Sequence, residues 1–113
     1  MSKRPWGAYK VLLEDDNCKV KKITVKPKSR LSYQMHKKRA EVWVVISGKG
    51  KIQVENEINE VGPNAIIMIP YETKHRIENI DDKEDLVFIE TQTGTYFGED
   101  DIVRYEDDYG RKD

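Results

Sequence analysis

Cysteine is all but missing from this chain: Cys18 stands alone among 113 residues. An internal disulfide is therefore excluded, and so sparse a use of cysteine fits a reducing cytoplasm. Cys18 itself reads as a small, half-buried hydrophobe. Histidine is scarce too. His36 and His75 are the two present, so a metal site must use one or both and recruit other ligand types. No apolar run approaches the ~18–20 residues of a membrane-spanning helix. The opening Met1-Ser-Lys-Arg-Pro-Trp6 lacks the apolar stretch of a signal peptide. Charge of one sign is not in excess either. Twenty Lys and Arg against 21 Asp and Glu leave a formal charge of -1, which gives no case for binding nucleic acid or a membrane surface. There is no internal repeat, low-complexity tract or linker. The length suits one domain over residues 1–113. A domain of this size buries a modest share of its surface, so a homodimer is expected.

What the sequence does have is a period of two. Cys18, Val20, Ile23 and Val25 alternate with polar residues, with one slip at Lys21-Lys22 that predicts a bulge. Val42–Ile46 is a short, nearly continuous β-branched run, as expected of a strand buried on both faces. Lys51–Glu55 alternates, Ala65–Ile69 is apolar, and Leu86–Gln92 continues the pattern. Turn-forming residues fall between these runs, at Pro27–Ser29, Ser47–Gly50, Glu55–Glu57, Gly62–Asn64 and Asn79–Lys83. Many short strands with frequent turns predict an all-β sandwich or small barrel. The acidic stretch Glu99-Asp-Asp101 suits the start of a short helical turn in the tail. Trp6, Trp43 and Tyr96 read as core or interface aromatics.

Four residues carry candidate chemistry. Gln34 and His36 are two apart, so on a strand they share a face. Glu41 follows a short charged connection and precedes the Val42–Ile46 run. His75 lies far downstream, after the Pro70-Tyr-Glu72 turn. A rolled barrel can bring these segments together inside. Two imidazoles, a carboxylate and an amide oxygen suit a divalent ion such as Zn, Mn, Co, Ni or Fe. An incomplete protein ligand set leaves room for water or substrate, as in catalytic sites.

These spacings resemble a known family. Gln34-x-His36-x(4)-Glu41-x(6)-Gly48 is similar to the first motif of the cupins, and Pro70-x-Glu72-x(2)-His75-x(3)-Asn79 to the second. A narrower resemblance covers nearly the whole chain. Arg4-Pro-Trp-Gly7, Leu31–His36, Arg39–Glu41, Lys74–Asn79, Gly94–Arg104 and Asp108–Arg111 look like the C-terminal domain of type II mannose-6-phosphate isomerases. Those domains are often fused to guanylyltransferases. Lys37, Lys38 and Val42 stand where that family usually has histidines, and Lys28 and Glu72 replace glycines.

The resemblance implies a double-stranded β-helix, or jelly-roll barrel, with a short helical or irregular C-terminal tail. It implies a metal, zinc first, held by Gln34, His36, Glu41 and His75. Glu41 and Arg76 become the candidate catalytic residues. Ser32, Arg76 and Lys38 become the candidate grip on a sugar phosphate, with Arg39 and Lys37 as further basic residues in reach. The implied reaction interconverts mannose 6-phosphate and fructose 6-phosphate. A non-catalytic sugar- or metal-binding regulatory cupin is the second reading, and an iron-dependent dioxygenase the third.

Overall fold

The structure, a computed structural model, describes residues 2–98 and 100–110. Its regular elements are all strands: β1 (Ser2–Arg4), β2 (Gly7–Glu14), β3 (Cys18–Val25), β4 (Tyr33–Met35), β5 (Arg39–Ser47), β6 (Gly50–Val54), β7 (Glu57–Val61), β8 (Ile66–Ile69), β9 (His75–Asn79), β10 (Leu86–Gly94) and β11 (Val103–Glu106). They form a six-stranded sheet, β1-β2-β3-β10-β5-β8, facing a five-stranded sheet, β11-β4-β9-β6-β7. Every pairing is antiparallel. This is the expected all-β barrel. No helix of the structure is long and apolar enough to cross a membrane.

The alternation of side chains divides the interior into two zones. On β3 the inward residues are Lys21, Ile23 and Val25; on β5 they are Arg39, Glu41, Trp43 and Val45; on β10 they are Leu86, Phe88, Glu90 and Gln92. Each strand thus has a charged or polar end and an apolar end, with β10 running antiparallel to the other two. The apolar ends stack with Ile52, Ile67, Ile69 and Ile77 to make a dry floor. Burying such side chains stabilises by about 1.5–3 kcal/mol each. Asn79 ties the floor to the β9–β10 turn: its amide donates to the carbonyls of Val25 and Glu84, and its oxygen accepts from the Asp81 amide.

Three sequence expectations change. The slip at Lys21-Lys22 is not a bulge on β3. Lys21 keeps the inward phase and is itself buried, while the extra residue sits on β2, between Val11 and Leu13. The Val42–Ile46 run is covered on one face only. Trp43 and Val45 point inward, but Ile46 alternates onto the outer face of the six-stranded sheet and is 50 % exposed. The tail is not helical among the described residues. Residues 103–106 pair with β4 instead, and Glu99 lies outside the described residues, as do residues 111–113.

Gly94 deserves its glycine. A Cβ there would sit 2.3 Å from the Lys38 carbonyl oxygen at a backbone φ of +148°. That close approach lets the end of β10 lie against the start of β5, with Gly94 opposite Arg39.

Candidate metal centre

His36, Glu41 and His75 meet at the polar end of the barrel, with one donor atom from each lying within 4.8 Å of the others. All three are buried. His36 comes immediately after β4, Glu41 from β5 and His75 from the start of β9, so both sheets contribute. Gln34 faces His75 directly across the β4–β9 pair, which puts its amide beside the cluster. The three separate stretches singled out in the sequence therefore converge.

Neighbouring groups orient the donors. His36 Nδ1 lies 2.6 Å from the Asp101 carbonyl oxygen and His75 Nδ1 lies 2.8 Å from that of Thr73. A carbonyl only accepts, so each Nδ1 carries the proton and each Nε2 presents a lone pair. This is the tautomer a metal takes. Glu41 Oε1 accepts from the Trp43 indole at 2.9 Å, and Oε2 accepts from Arg39 Nε at 2.8 Å. The Gln34 amide donates to Ser32 Oγ at 2.9 Å, which leaves its oxygen as the end able to meet a cation. Asp101 also accepts from the backbone amides of Lys37 and Lys38, fixing the connection that carries His36.

The donor set fits a divalent ion, and a cation already lies against it. Arg39 donates to Glu41 and places Nη2 3.2 Å from His36 Nε2. The Arg39–Glu41 ion pair lies inside the barrel, at 6 % and 2 % exposure. Protonation is suppressed at the same place. Burial first and the Arg39 charge second lower the His36 pKa to about 4. Burial lowers that of His75.

The remaining candidates are placed differently. Ser32 is fully buried as the partner of Gln34. Arg76 has most of its fork engaged: Nε donates to the Leu31 carbonyl, Nη2 to the Glu106 carbonyl and Nη1 to the Glu106 carboxylate. It clamps β9 to the tail strand rather than offering an open fork. Lys38 is exposed, with its ammonium 5.2 Å from the Tyr96 ring, and is absent from the cavity wall. Sequence reasoning missed Glu90, Lys21, Arg4 and Arg104, which do line the cavity. Glu90 and Lys21 were legible as charges in the inward phase of an alternating strand. Burial first and the negative charge of Glu41 second raise the Glu90 pKa to about 7.

A double-stranded antiparallel barrel with this donor set at its mouth defines a cupin. Solved structures share the fold: KdgF from Halomonas sp. matches with a TM-score of 0.78 at 14 % identity, covering 85 % of this chain and 87 % of that one. CapF, a capsular polysaccharide assembling protein from Staphylococcus aureus, matches with a TM-score of 0.79 at 26 % identity, over 94 % of this chain and 34 % of CapF. The family model for the mannose-6-phosphate isomerase C-terminal domain matches residues 1–107, and the chain belongs to that family. Its relatives include the xanthan biosynthesis protein XanB of Xanthomonas campestris pv. campestris, 47 % identical over 96 % of this chain and 23 % of XanB. A mannose-1-phosphate guanylyltransferase of Escherichia coli is 46 % identical over 96 % of this chain and 22 % of that protein. The chain spans less than a quarter of the length of these curated relatives.

Two predictions follow from this geometry. Trp43→Phe removes a hydrogen bond to Glu41 and should weaken divalent-metal affinity by about 10- to 100-fold. Competition against a chromophoric chelator measures it, and unchanged affinity would show that the indole does not orient the carboxylate. The second concerns Glu90 in metal-free protein. A free glutamate titrates near 4.5 and Glu90 at about 7. Between those values the folded state keeps a proton that the unfolded state has lost, so stability falls as pH rises. Glu90→Gln lifts that penalty. Its melting temperature should exceed that of the parent at about pH 8, with the gap closing towards about pH 4.5; a gap independent of pH contradicts the assignment.

Proposed function

We propose that this domain is a metal-dependent sugar-phosphate isomerase that interconverts mannose 6-phosphate and fructose 6-phosphate. The observation that carries the reading is the meeting of two unprotonated Nε2 atoms and a buried carboxylate in a cavity with an excess of basic residues on its wall. Membership of a family described by that isomerase supports it. We place the protein in the cytoplasm, which its lone Cys18 suits.

Aldose–ketose exchange moves a proton between adjacent carbons while negative charge grows on the neighbouring oxygen. His36, Glu41, His75 and Gln34 would hold the divalent ion, zinc in the first instance. When bound, that ion supplies Lewis-acid stabilisation of the developing charge. The chain's own contribution is positioning. Arg39 and Trp43 hold the Glu41 carboxylate, the Asp101 and Thr73 carbonyls fix both imidazoles, and Ser32 sets the Gln34 amide. Arg76 acts as a positioning residue through its clamp on Leu31 and Glu106.

The second reading, a regulatory cupin that binds without turnover, draws on Lys37, Lys38 and Val42, which stand where the family usually has histidines. A coupled assay separates the two. Fructose 6-phosphate should form from mannose 6-phosphate, cease with a chelator and return with added metal. Turnover that survives alanine at both His36 and His75 excludes the metal centre, and absence of turnover with every metal tried favours the regulatory reading.

A homodimer belongs to the same proposal. β8 is an edge strand, and its outward Ile66 and Met68 are 69 % and 71 % exposed, beside Ile46 on β5. An apolar edge of this kind is covered by a second copy through a self-complementary contact. Sedimentation should give twice the mass of one chain; a monomer at all concentrations removes the dimer.

A further inference from the structure

The Arg39 fork reaches two of the candidate metal donors at once. Its Nε donates to Glu41 Oε2 at 2.8 Å, and its Nη2 lies 3.2 Å from His36 Nε2. The Asp101 carbonyl fixes the His36 proton on Nδ1, so Nε2 accepts from Arg39. The two contacts differ in what they leave open. A carboxylate oxygen has two lone pairs, so Glu41 Oε2 can keep Arg39 Nε and still meet an ion. An imidazole nitrogen has one. Arg39 Nη2 and a metal ion on His36 Nε2 therefore exclude one another.

The neighbouring strand offers a place for the displaced group. Arg39 faces Gly94 in the β5–β10 pairing, and Glu41 faces Gln92. No side chain stands directly across from Arg39, and Gln92 is its diagonal neighbour on the inward face, within reach of a long side chain. Gln92 is fully buried. Its Nε2 donates to Glu90 Oε2 at 2.6 Å, but its Oε1 has no hydrogen-bond partner among the described residues. A buried acceptor left without a donor is unfavourable, and a guanidinium supplies donors of the kind it lacks.

We propose that Arg39 is a built-in competitor for the metal: loading a divalent ion onto His36, Glu41 and His75 moves Arg39 Nη2 from His36 Nε2 to Gln92 Oε1. The ion must break the contact with His36 and then bear the repulsion of the nearby guanidinium. Affinity is net of both, so the site loads and releases its ion reversibly. The two partners of Glu41 act in opposite senses. The neutral Trp43 indole supports the ion, and the Arg39 charge opposes it. This inference deepens the isomerase reading and rests on its metal centre, though not on turnover.

Arg39→Gln separates the contacts. A glutamine amide nitrogen falls at the same place along the side chain as the arginine Nε. The variant therefore keeps a donor for Glu41 and loses both the charge and the group that reaches His36. Zinc is the probe, added to the full chain stripped of metal, with affinity read by competition against a chromophoric chelator at fixed pH. Arg39→Gln should bind zinc about 10-fold or more tightly than the parent. A supporting role like that of Trp43 would lower affinity instead, so affinity that falls or stays the same overturns the proposal. So does zinc that binds neither protein. Gln92→Leu should weaken zinc by about 3- to 10-fold in the parent and by less than about 2-fold once Arg39→Gln is in place. An equal loss in both backgrounds overturns the exchange with Gln92. Circular dichroism reports whether each variant folds. A second measurement needs no variant. A crystal structure of the zinc-loaded parent should show Arg39 Nη2 on Gln92 Oε1, and Nη2 still on His36 Nε2 overturns the proposal. Zinc binding that follows this pattern, in a protein without isomerase turnover, sustains the exchange and removes only the isomerase reading.

Discussion

The buried Glu41 carboxylate, gripped between Arg39 and Trp43, is the contact on which the polar end of the barrel depends. Breaking a buried ion pair from one side costs about 3–5 kcal/mol, because a charge is stranded in a poor solvent. An exposed pair such as Arg30–Asp108, whose side chains are 37 % and 43 % accessible, contributes about 0–1 kcal/mol. The first therefore constrains the architecture and the second hardly does. Arg39, Glu41 and Trp43 occupy alternate positions of one strand, so a slip of one residue in β5 would turn all three outward together. Val45 and Trp43 resist that slip by packing into the floor, Trp43 with its ring 4.7 Å from that of Phe88. Gly94 resists it from the neighbouring strand by admitting the Lys38 backbone.

The same contact explains why the site seeks cations. Glu41 brings negative charge into a region of low dielectric, and both imidazoles are held in the tautomer that turns a lone pair inwards. Protonating His36 would set a second positive charge beside Arg39, which adds to burial in lowering its pKa. A guanidinium balances the carboxylate with a permanent charge, since arginine does not lose its proton. A divalent ion would balance it more fully and would engage both Nε2 atoms. Guanidinium and metal thus answer one electrostatic demand, and the residues around Glu41 are consistent with either.

How much of this was legible in the sequence follows from which interactions are local. Gln34 and His36 could be assigned to one face because a strand's side chains alternate, and Glu41 and His75 joined them through motif spacing. Barrel closure did the rest. The interior charges were harder to read. A period-two rule treats an inward residue as apolar, so Lys21 looked like a break in the pattern and Glu90 passed unnoticed within the Leu86–Gln92 run. Both keep phase and face one another across a strand pair. The Val42–Ile46 run looked buried on both faces because all five residues are apolar, while exposure depends on whether a second layer covers the outer face of the sheet. The tail failed for a related reason. Asp100 and Asp101 suit a helix start by local propensity, but a long-range pairing with β4 outweighs that preference, and Asp101 is used to hold the loop after β4.

Because the donors come from β5 in one sheet and from β4 and β9 in the other, their geometry is only as firm as the packing of the sheets. Trp43 is the bridge: it packs on Phe88 within its own sheet, meets the His75 ring of the opposite sheet nearly at right angles with ring centres 5.7 Å apart, and donates to Glu41. One side chain therefore couples the dry floor, the carboxylate and an imidazole. Three metal-type donors placed by short strands would wander relative to one another if each sheet flexed alone. With the indole wedged between them, movement of one sheet displaces the other, and the apolar floor holds the polar mouth in register.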